Sequence, residues 1–270
     1  MKLSFMTFAC PQWTLAKVLR GATRYGYRGV EPRVLAGHKH GIEPDMPAAE
    51  RARVRQAFAD SGIANCCVAT SCRFAETDPA KRRANVDALK RHVELAAEVG
   101  APRIRVFGGV RPQGMTVEDG IQVVAEDLRA GADLAAQMGV TICLETHDDF
   151  ARGETVAAVL ARADHPAIRA NWDVMHPHTH GEAAEATWAA LRGKVEHVHC
   201  HDTKQVDGRW PTLMPGAGEL PLSTFFGWLA EAGFAGYLSA EYWTELGPPE
   251  RTLPDYVRRM REILDHAGVR

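Results

Sequence analysis

Glycine punctuates this chain at a nearly constant interval. Helix-like segments end at Tyr25-Gly26-Tyr27, Asp60-Ser61-Gly62-Ile63, Val99-Gly100-Ala101, Met138-Gly139-Val140 and Ala232-Gly233-Phe234, each shortly before a strand-like run. Glycine takes the left-handed backbone that follows a helix without the Cβ clash other residues meet. A spacing of roughly 35–40 residues reads as one βα unit repeated along the chain. Strand-like segments fall at 2–8, 28–31, 63–70, 103–107, 140–145, 168–173, 195–201 and 237–241. Helix-like segments fall at 13–25, 47–60, 79–99, 117–138, 154–163, 182–192, 221–232 and 249–267. In the third helix Asp78 can cap, Pro79 can open the first turn and Gly100 stops it, with Val86, Leu89, Val93 and Ala96 at helical spacing between. Eight such units in 270 residues are the arithmetic of an α/β protein of the single (β/α)8 barrel type. No linker, low-complexity tract or charge block interrupts them, so residues 1–270 read as one domain. A doubly wound sheet would want a glycine-rich phosphate loop after the first strand, and Thr7-Phe8-Ala9-Cys10-Pro11 is not one.

Charge and cysteine usage narrow the setting. The 32 basic and 34 acidic side chains leave a formal charge of −2, which supplies no field for a nucleic-acid backbone. No apolar run approaches the roughly 20 residues that span a bilayer. The start, Met1-Lys2-Leu3-Ser4-Phe5-Met6-Thr7-Phe8, reads as a short strand rather than a signal peptide. Cys10, Cys66, Cys67, Cys72, Cys143 and Cys200 lie mostly in apolar surroundings and read as reduced, small core residues. The expectation is a cytoplasmic protein with neither nucleic acid nor membrane as partner.

In a barrel of this kind reactive groups project from the C-terminal ends of the strands. Polar residues that are out of place in a strand collect there. The fifth strand runs Val140-Thr141-Ile142-Cys143-Leu144-Glu145-Thr146-His147, and alternation puts Cys143, Glu145 and His147 on one face. The sixth runs Ile168-Arg169-Ala170-Asn171-Trp172-Asp173 and continues into Val174-Met175-His176. The seventh, Val195-Glu196-His197-Val198-His199-Cys200-His201-Asp202, alternates three histidines with Val198 and Cys200. The eighth ends in Glu241. Three inward carboxylates at one level repel unless neutralised. A divalent cation neutralises them, and one imidazole joins readily, so Glu145, Asp173, His199 and Glu241 form a candidate metal set. Oxygen-rich ligation suits Mn2+ first, with Mg2+, Co2+ or Zn2+ as alternatives. Four protein ligands leave about two octahedral positions for adjacent substrate oxygens. His197 reads as a hydrogen-bonded interior histidine, whereas His38, His40, His178 and His180 read as loop residues at the surface. Arg105 and Phe107 share a face of the fourth strand, so Arg105 either meets substrate or forms a buried ion pair. Arg73, at the end of the third strand, is a second substrate-binding candidate. Trp13, Phe107, Trp210 and Trp243 lie in or near strand-end loops, where aromatics stack on sugars or pack the loop.

These segments together resemble the xylose-isomerase-like TIM-barrel superfamily, the sugar phosphate isomerases and epimerases grouped with AP endonuclease family 2. Leu144-Glu145-Thr146-His147 is similar to the family's strand-5 Glu-x-His, and Asp173-Val174-Met175-His176 to its strand-6 Asp-x-x-His. His197-Val198-His199-Cys200-His201-Asp202 resembles its strand-7 His-x-His-x-Lys-Asp, with His201 in place of lysine. Pro215-Gly216-Ala217-Gly218-Glu219-Leu220 and Leu238-Ser239-Ala240-Glu241-Tyr242 resemble the loop before helix 7 and the strand-8 glutamate segment. The resemblance implies the same four metal ligands, His176 as a substrate contact, and Glu31, ending Gly29-Val30-Glu31, near the substrate. The family's three-zinc nuclease branch uses further histidines after strands 3, 4 and 7. Here those places read Thr70-Ser71-Cys72-Arg73, Phe107-Gly108-Gly109 and Asp207-Gly208-Arg209-Trp210, without them.

The expected activity is epimerisation or isomerisation of a ketose or keto-polyol through a metal-bound cis-enediolate, with Glu145 and Glu241 as acid and base. His147, His176 and His201 form a histidine-rich rim beside the substrate. If the enolate instead expels a β-oxygen, with His147 or His201 protonating it, the enzyme is a dehydratase or lyase acting on a keto-sugar, keto-glycoside or keto-inositol. An inactive sugar-binding subunit is a third reading and predicts a damaged ligand set, whereas all four residues are present. A homo-oligomer is expected from the resemblance.

Overall fold

The computed structural model describes residues 1–269. Its strands are β1 (Lys2–Met6), β2 (Gly29–Glu31), β3 (Ala64–Asn65), β4 (Val68–Arg73), β5 (Arg103–Phe107), β6 (Thr141–Glu145), β7 (Ile168–Asp173), β8 (Val195–Cys200) and β9 (Tyr237–Ala240). They hydrogen-bond in the order β3-β2-β1-β9-β8-β7-β6-β5-β4. Every named pairing is parallel. The single strand expected over 63–70 is two, broken at Cys66-Cys67. The ring closes across that break, where Ala69 N–H donates to Pro32 O at 2.9 Å and Val34 N–H to Ala69 O at 3.1 Å. The result is an α/β TIM barrel.

The helices of the outer ring are α1 (Leu15–Tyr25), α2 (Ala48–Ser61), α3 (Pro79–Glu98), α4 (Val117–Gln137), α5 (Gly153–Ala163), α6 (His176–Thr179), α7 (Ala184–Leu191), α8 (Leu222–Glu231) and α9 (Pro249–His266). The glycine punctuation is real: Gly26, Gly62, Gly100, Gly139 and Gly233 all have positive φ. Asp78 caps α3 by accepting the Ala80 and Lys81 N–H groups at 2.7 and 3.3 Å. The core lies between barrel and helices, where Val30, Ile104, Ile142, Leu144, Trp172, Val198 and Leu238 are buried. No helix among the described residues is long and apolar enough to cross a membrane. The six cysteines are buried and unpaired.

Register sets the height of the strand-end groups. Glu145 pairs with Asn171, and His199 with Ser239. Between β7 and β8 the pairing slips by one residue, from Ala170↔Val195 to Asn171↔His197. Without the slip Asp173 would stand opposite Val198, which points outward; with it Asp173 meets His199. An irregularity of this kind re-aims a side chain beside a functional site.

Candidate metal centre

Glu145 and Asp173 are the last residues of β6 and β7, His199 lies in β8, and Glu241 follows β9 directly. One potential ligand atom from each of these four buried residues lies within 4.8 Å of the others. His199 Nδ1 is turned to the carboxylates, meeting Glu145 Oε1 in a short contact and Glu241 Oε2 at 2.8 Å. His199 Nε2 faces Glu31 Oε1 at 3.0 Å. Burial alone would lower the pKa of His199, but Glu241, Glu31 and Glu145 around it raise it well above the ordinary value. Burial would likewise raise Glu241, yet His199, followed by Arg105, brings it down to about 2.

Asp173 is held from several sides. Its Oδ1 accepts the Met175 N–H at 2.8 Å and the His176 N–H at 3.2 Å, where α6 begins. The Thr146 hydroxyl donates to Asp173 O and accepts the Asp173 N–H, tying β6 to β7. Asp173 Oδ2 and Glu145 Oε2 are buried without a hydrogen-bond donor. Such orphaned oxygens are costly in a folded interior. Two orphaned carboxylate oxygens beside an imidazole and a third carboxylate are the donor set that a hard divalent cation satisfies.

His201 uses both ring nitrogens. Nδ1–H donates to Glu241 O at 2.8 Å and Nε2 bonds Asp173 Oδ1 at 3.2 Å. Burial opposes its charge, but Asp173 and then Glu241 raise its pKa to about 9. Arg105 is fully buried. Its Nη1 donates to Thr70 O at 2.9 Å, its Nε lies 3.3 Å from Glu145 Oε2, and its guanidinium covers the Phe107 ring at 4.0 Å. The buried ion pair weighed from alternation is therefore present.

Glu31 lies beneath the cluster rather than at the mouth. It accepts from His197 Nε2 at 2.8 Å and from the Ser239 hydroxyl at 2.7 Å, besides facing His199. Burial would raise Glu31, but the His199 and His197 imidazoles pull it well below the usual carboxylate range. Ser239 escaped the sequence reading, although it sits on the inward alternation two residues before Glu241. His197 is the interior, hydrogen-bonded histidine expected of it.

At the mouth, the His147 and His176 rings are 4.2 Å apart and Phe107 lies 4.7 Å from His147. His147 Nδ1 is 3.0 Å from Asp148, which also faces the exposed Arg73 at 3.8 Å. The loop 203–220 is gathered onto buried Asp202, which accepts N–H groups from Thr203, Gly216, Gly218 and Leu220. A Cβ on Gly218 would fall 2.2 Å from Asp202 Oδ1, so only glycine fits there.

The loop expectations for His38, His40 and His178 need correction. His38 and His40 are not surface groups: the Thr7 hydroxyl and His38 Nδ1 are hydrogen-bonded at 3.0 Å, and His40 bridges Arg33 O and the Ile42 N–H, with both rings buried. The loop folds back because these rings satisfy its own backbone. His178 belongs to the short helix α6, whereas His180 follows it as the exposed turn residue expected. His178 is half-buried, meeting Glu219 at 3.0 Å and Trp210 edge-on.

A family model described as a xylose isomerase-like TIM barrel matches residues 19–264. The chain is 23% identical to the fructoselysine 3-epimerase of Shigella flexneri over 278 residues, covering 98% of each. It is 26% identical to a putative hydroxypyruvate isomerase of Homo sapiens over 176 residues, 61% of this chain and 62% of that protein. Among solved structures, the IOLI protein with a binding zinc atom superposes with a TM-score of 0.82 at 19% identity, covering 99% of this chain and 98% of that one. An L-ribulose 3-epimerase superposes at 0.81 with 16% identity, covering 99% and 95%. At these identities the solved structures establish the fold.

Proposed function

We propose, from the premise that the chain belongs to the xylose isomerase-like TIM-barrel family, that it is a divalent-metal-dependent epimerase or isomerase of a ketose or keto-polyol. Residues 1–270 would act as one catalytic domain in the cytoplasm, as a homo-oligomer. The observation that carries the reading is the meeting of Glu145 and Glu241 on one nitrogen of His199. Relatives named as a 3-epimerase of fructoselysine and as a hydroxypyruvate isomerase support the class of reaction.

Glu145, Asp173, His199 and Glu241 would hold one cation, Mn2+ in this reading. When bound, it supplies Lewis-acid polarisation of adjacent substrate oxygens and stabilises the negative charge left by deprotonation. The protein's own groups do the rest. Glu31 holds the His199 Nε2–H, which leaves Nδ1 for the cluster; a carboxylate behind a ligating histidine fixes its tautomer and raises its basicity. Arg105 steadies Glu145 from below, and His201 braces both Asp173 and the Glu241 backbone.

Glu145 and Glu241 enter from opposite ends of the β6–β9 arc. One takes the C–H proton next to the carbonyl and the other delivers a proton to the opposite face, which inverts that carbon. Delivery to the neighbouring carbon instead interconverts ketose and aldose. His147, His176 and Arg73 lie around the mouth, where they would bind substrate hydroxyls. A second reading, β-elimination from a keto-sugar or keto-glycoside, is favoured by the edge-on His147–His176 pair, which offers an acid for a leaving oxygen. His201 is less suited to that task, since both its nitrogens are committed.

The test is incubation of Mn2+-loaded protein with a panel of ketoses in D2O. Epimerisation predicts deuterium at the inverted carbon with no loss of water or aglycone. An unsaturated product establishes the lyase reading, and no exchange with any ketose contradicts both.

A further inference from the structure

Arginines and carboxylates are unevenly matched around the barrel mouth. Arg105 is committed to Glu145, and Arg73 faces Asp148 at 3.8 Å. Arg33, two residues past the end of β2, is half-buried and has no carboxylate within 4.0 Å among the described residues. Nothing in the proposed chemistry uses it.

The surroundings of Arg33 fix its place. Its N–H donates to the Thr7 hydroxyl at 2.9 Å, and the residue bridges to Ala69 of β4 where the barrel closes. The guanidinium lies 5.6 Å over the Phe8 ring, and Phe8 lies 5.0 Å from the exposed ring of Trp243, two residues beyond Glu241. Arg33 therefore stands on the rim above β1 and β2, near enough for its charge to couple to Glu241 of the metal cluster. Its inner nitrogen Nη1 donates to Val34 O. Its outer nitrogen Nη2 donates to the hydroxyl of exposed Ser71, which keeps its own O–H to give. Ser71 shares the mouth-facing side of β4 with Arg73, because Cys72 between them turns the other way, to His92 on α3 at 3.5 Å.

The charge of Arg33 is under-compensated. Burial, and then Arg105, bring its pKa down to about 10, with Glu241 and Glu43 opposing them only in part. Glu43 instead accepts the Leu35 N–H at 2.6 Å. A desolvated cation beside other cations is costly until an anion joins it. A guanidinium is the side chain whose planar donors match a carboxylate or a phosphate. We propose that Arg33, with the Ser71 hydroxyl, binds an anionic group of the substrate, a carboxylate or phosphate at the end of the ketose remote from the reacting carbon, and so selects acidic ketoses over neutral ones. The inference rests on the ketose reading for the carbon skeleton and adds the charge.

The experiment titrates Mg2+-loaded protein by calorimetry with D-fructose, with its terminal carboxylate counterpart D-fructuronate, and with D-fructose 6-phosphate. At least one acidic sugar should bind about 10–100-fold more tightly than D-fructose, the scale of hydrogen bonds to a charged group. Which of the two gains tells carboxylate from phosphate. In Arg33→Met the margin over D-fructose should fall to near unity, and Arg33→Lys, which keeps the charge without the planar fork, should retain only part of it. Acidic sugars that bind the parent protein no more tightly than D-fructose overturn the proposal and leave the ketose reading standing. A margin that persists in Arg33→Met overturns it as well, since the anion is then held elsewhere. A margin lost in Arg33→Met, with no deuterium exchange from D2O into any of the three sugars, sustains the anion site and sinks the ketose chemistry instead.

Discussion

Two arginines two residues apart on β5 show what separates the base of this barrel from its mouth. Arg103, at the base, donates to Glu196 Oε1 from both Nε and Nη2, and the two side chains are 17% and 31% exposed. Arg105, one step up the same face, meets Glu145 with both groups sealed from water, and neither Arg105 Nε nor Glu145 Oε2 is aligned for a hydrogen bond. The lower pair is complete in itself. The upper pair leaves carboxylate capacity unspent and aimed at the other strand ends. Unsatisfied charge at the mouth and satisfied charge at the base are the division between function and stability that barrels of this class show.

The sharpest way to break that comparison is to neutralise a mouth carboxylate. Glu241→Gln should cost about 10²–10⁴-fold in turnover, the scale of a lost acid or base, with the fold left intact by circular dichroism. Retained turnover would remove Glu241 from the chemistry. The two arginines themselves come next. Arg105→Met should destabilise the chelated protein by about 3–5 kcal/mol, because it strands a buried carboxylate. Arg103→Met should cost about 1 kcal/mol or less, as expected of a pair that water still reaches. Urea denaturation of both variants decides, and equal losses would erase the distinction. Glu31→Gln should lower Mn2+ affinity about 10–100-fold, read by calorimetry, while Glu31→Asp recovers part of it.

The smallest effect lies outside the cluster. His40 Nδ1 accepts the Ile42 N–H at 3.0 Å, so protonation would set N–H against N–H. Burial, and then His38, hold its pKa down at about 4, below the ordinary 6.5. The folded state thus resists protonation. The stability His40 contributes is present above pH 6.5 and drains as pH falls towards 4. His40→Asn should flatten that part of the stability profile, and an unchanged acid limb would refute the assignment.

Much of this was legible in the sequence because the signals are local. A helix that stops needs a left-handed residue, so Gly26, Gly62, Gly100, Gly139 and Gly233 betray the βα rhythm. A carboxylate or imidazole at the end of an apolar strand betrays its inward face. What escaped depends on contacts distant in the chain. The break at Cys66-Cys67 follows from closing the ring against Pro32 and Val34. The burial of His38 and His40 follows from a loop folding onto Thr7 and Arg33. The place of Glu31 under His199 joins residues 168 apart, and no periodicity encodes such a pairing. The one-residue slip that brings Asp173 to His199 is likewise invisible before strands are paired.

The most direct test is a crystal of the protein soaked in Mn2+ and measured for anomalous scattering. The account predicts one strong peak per chain among Glu145, Asp173, His199 and Glu241, lost in Asp173→Asn. A peak elsewhere, or none at saturating Mn2+, would contradict it.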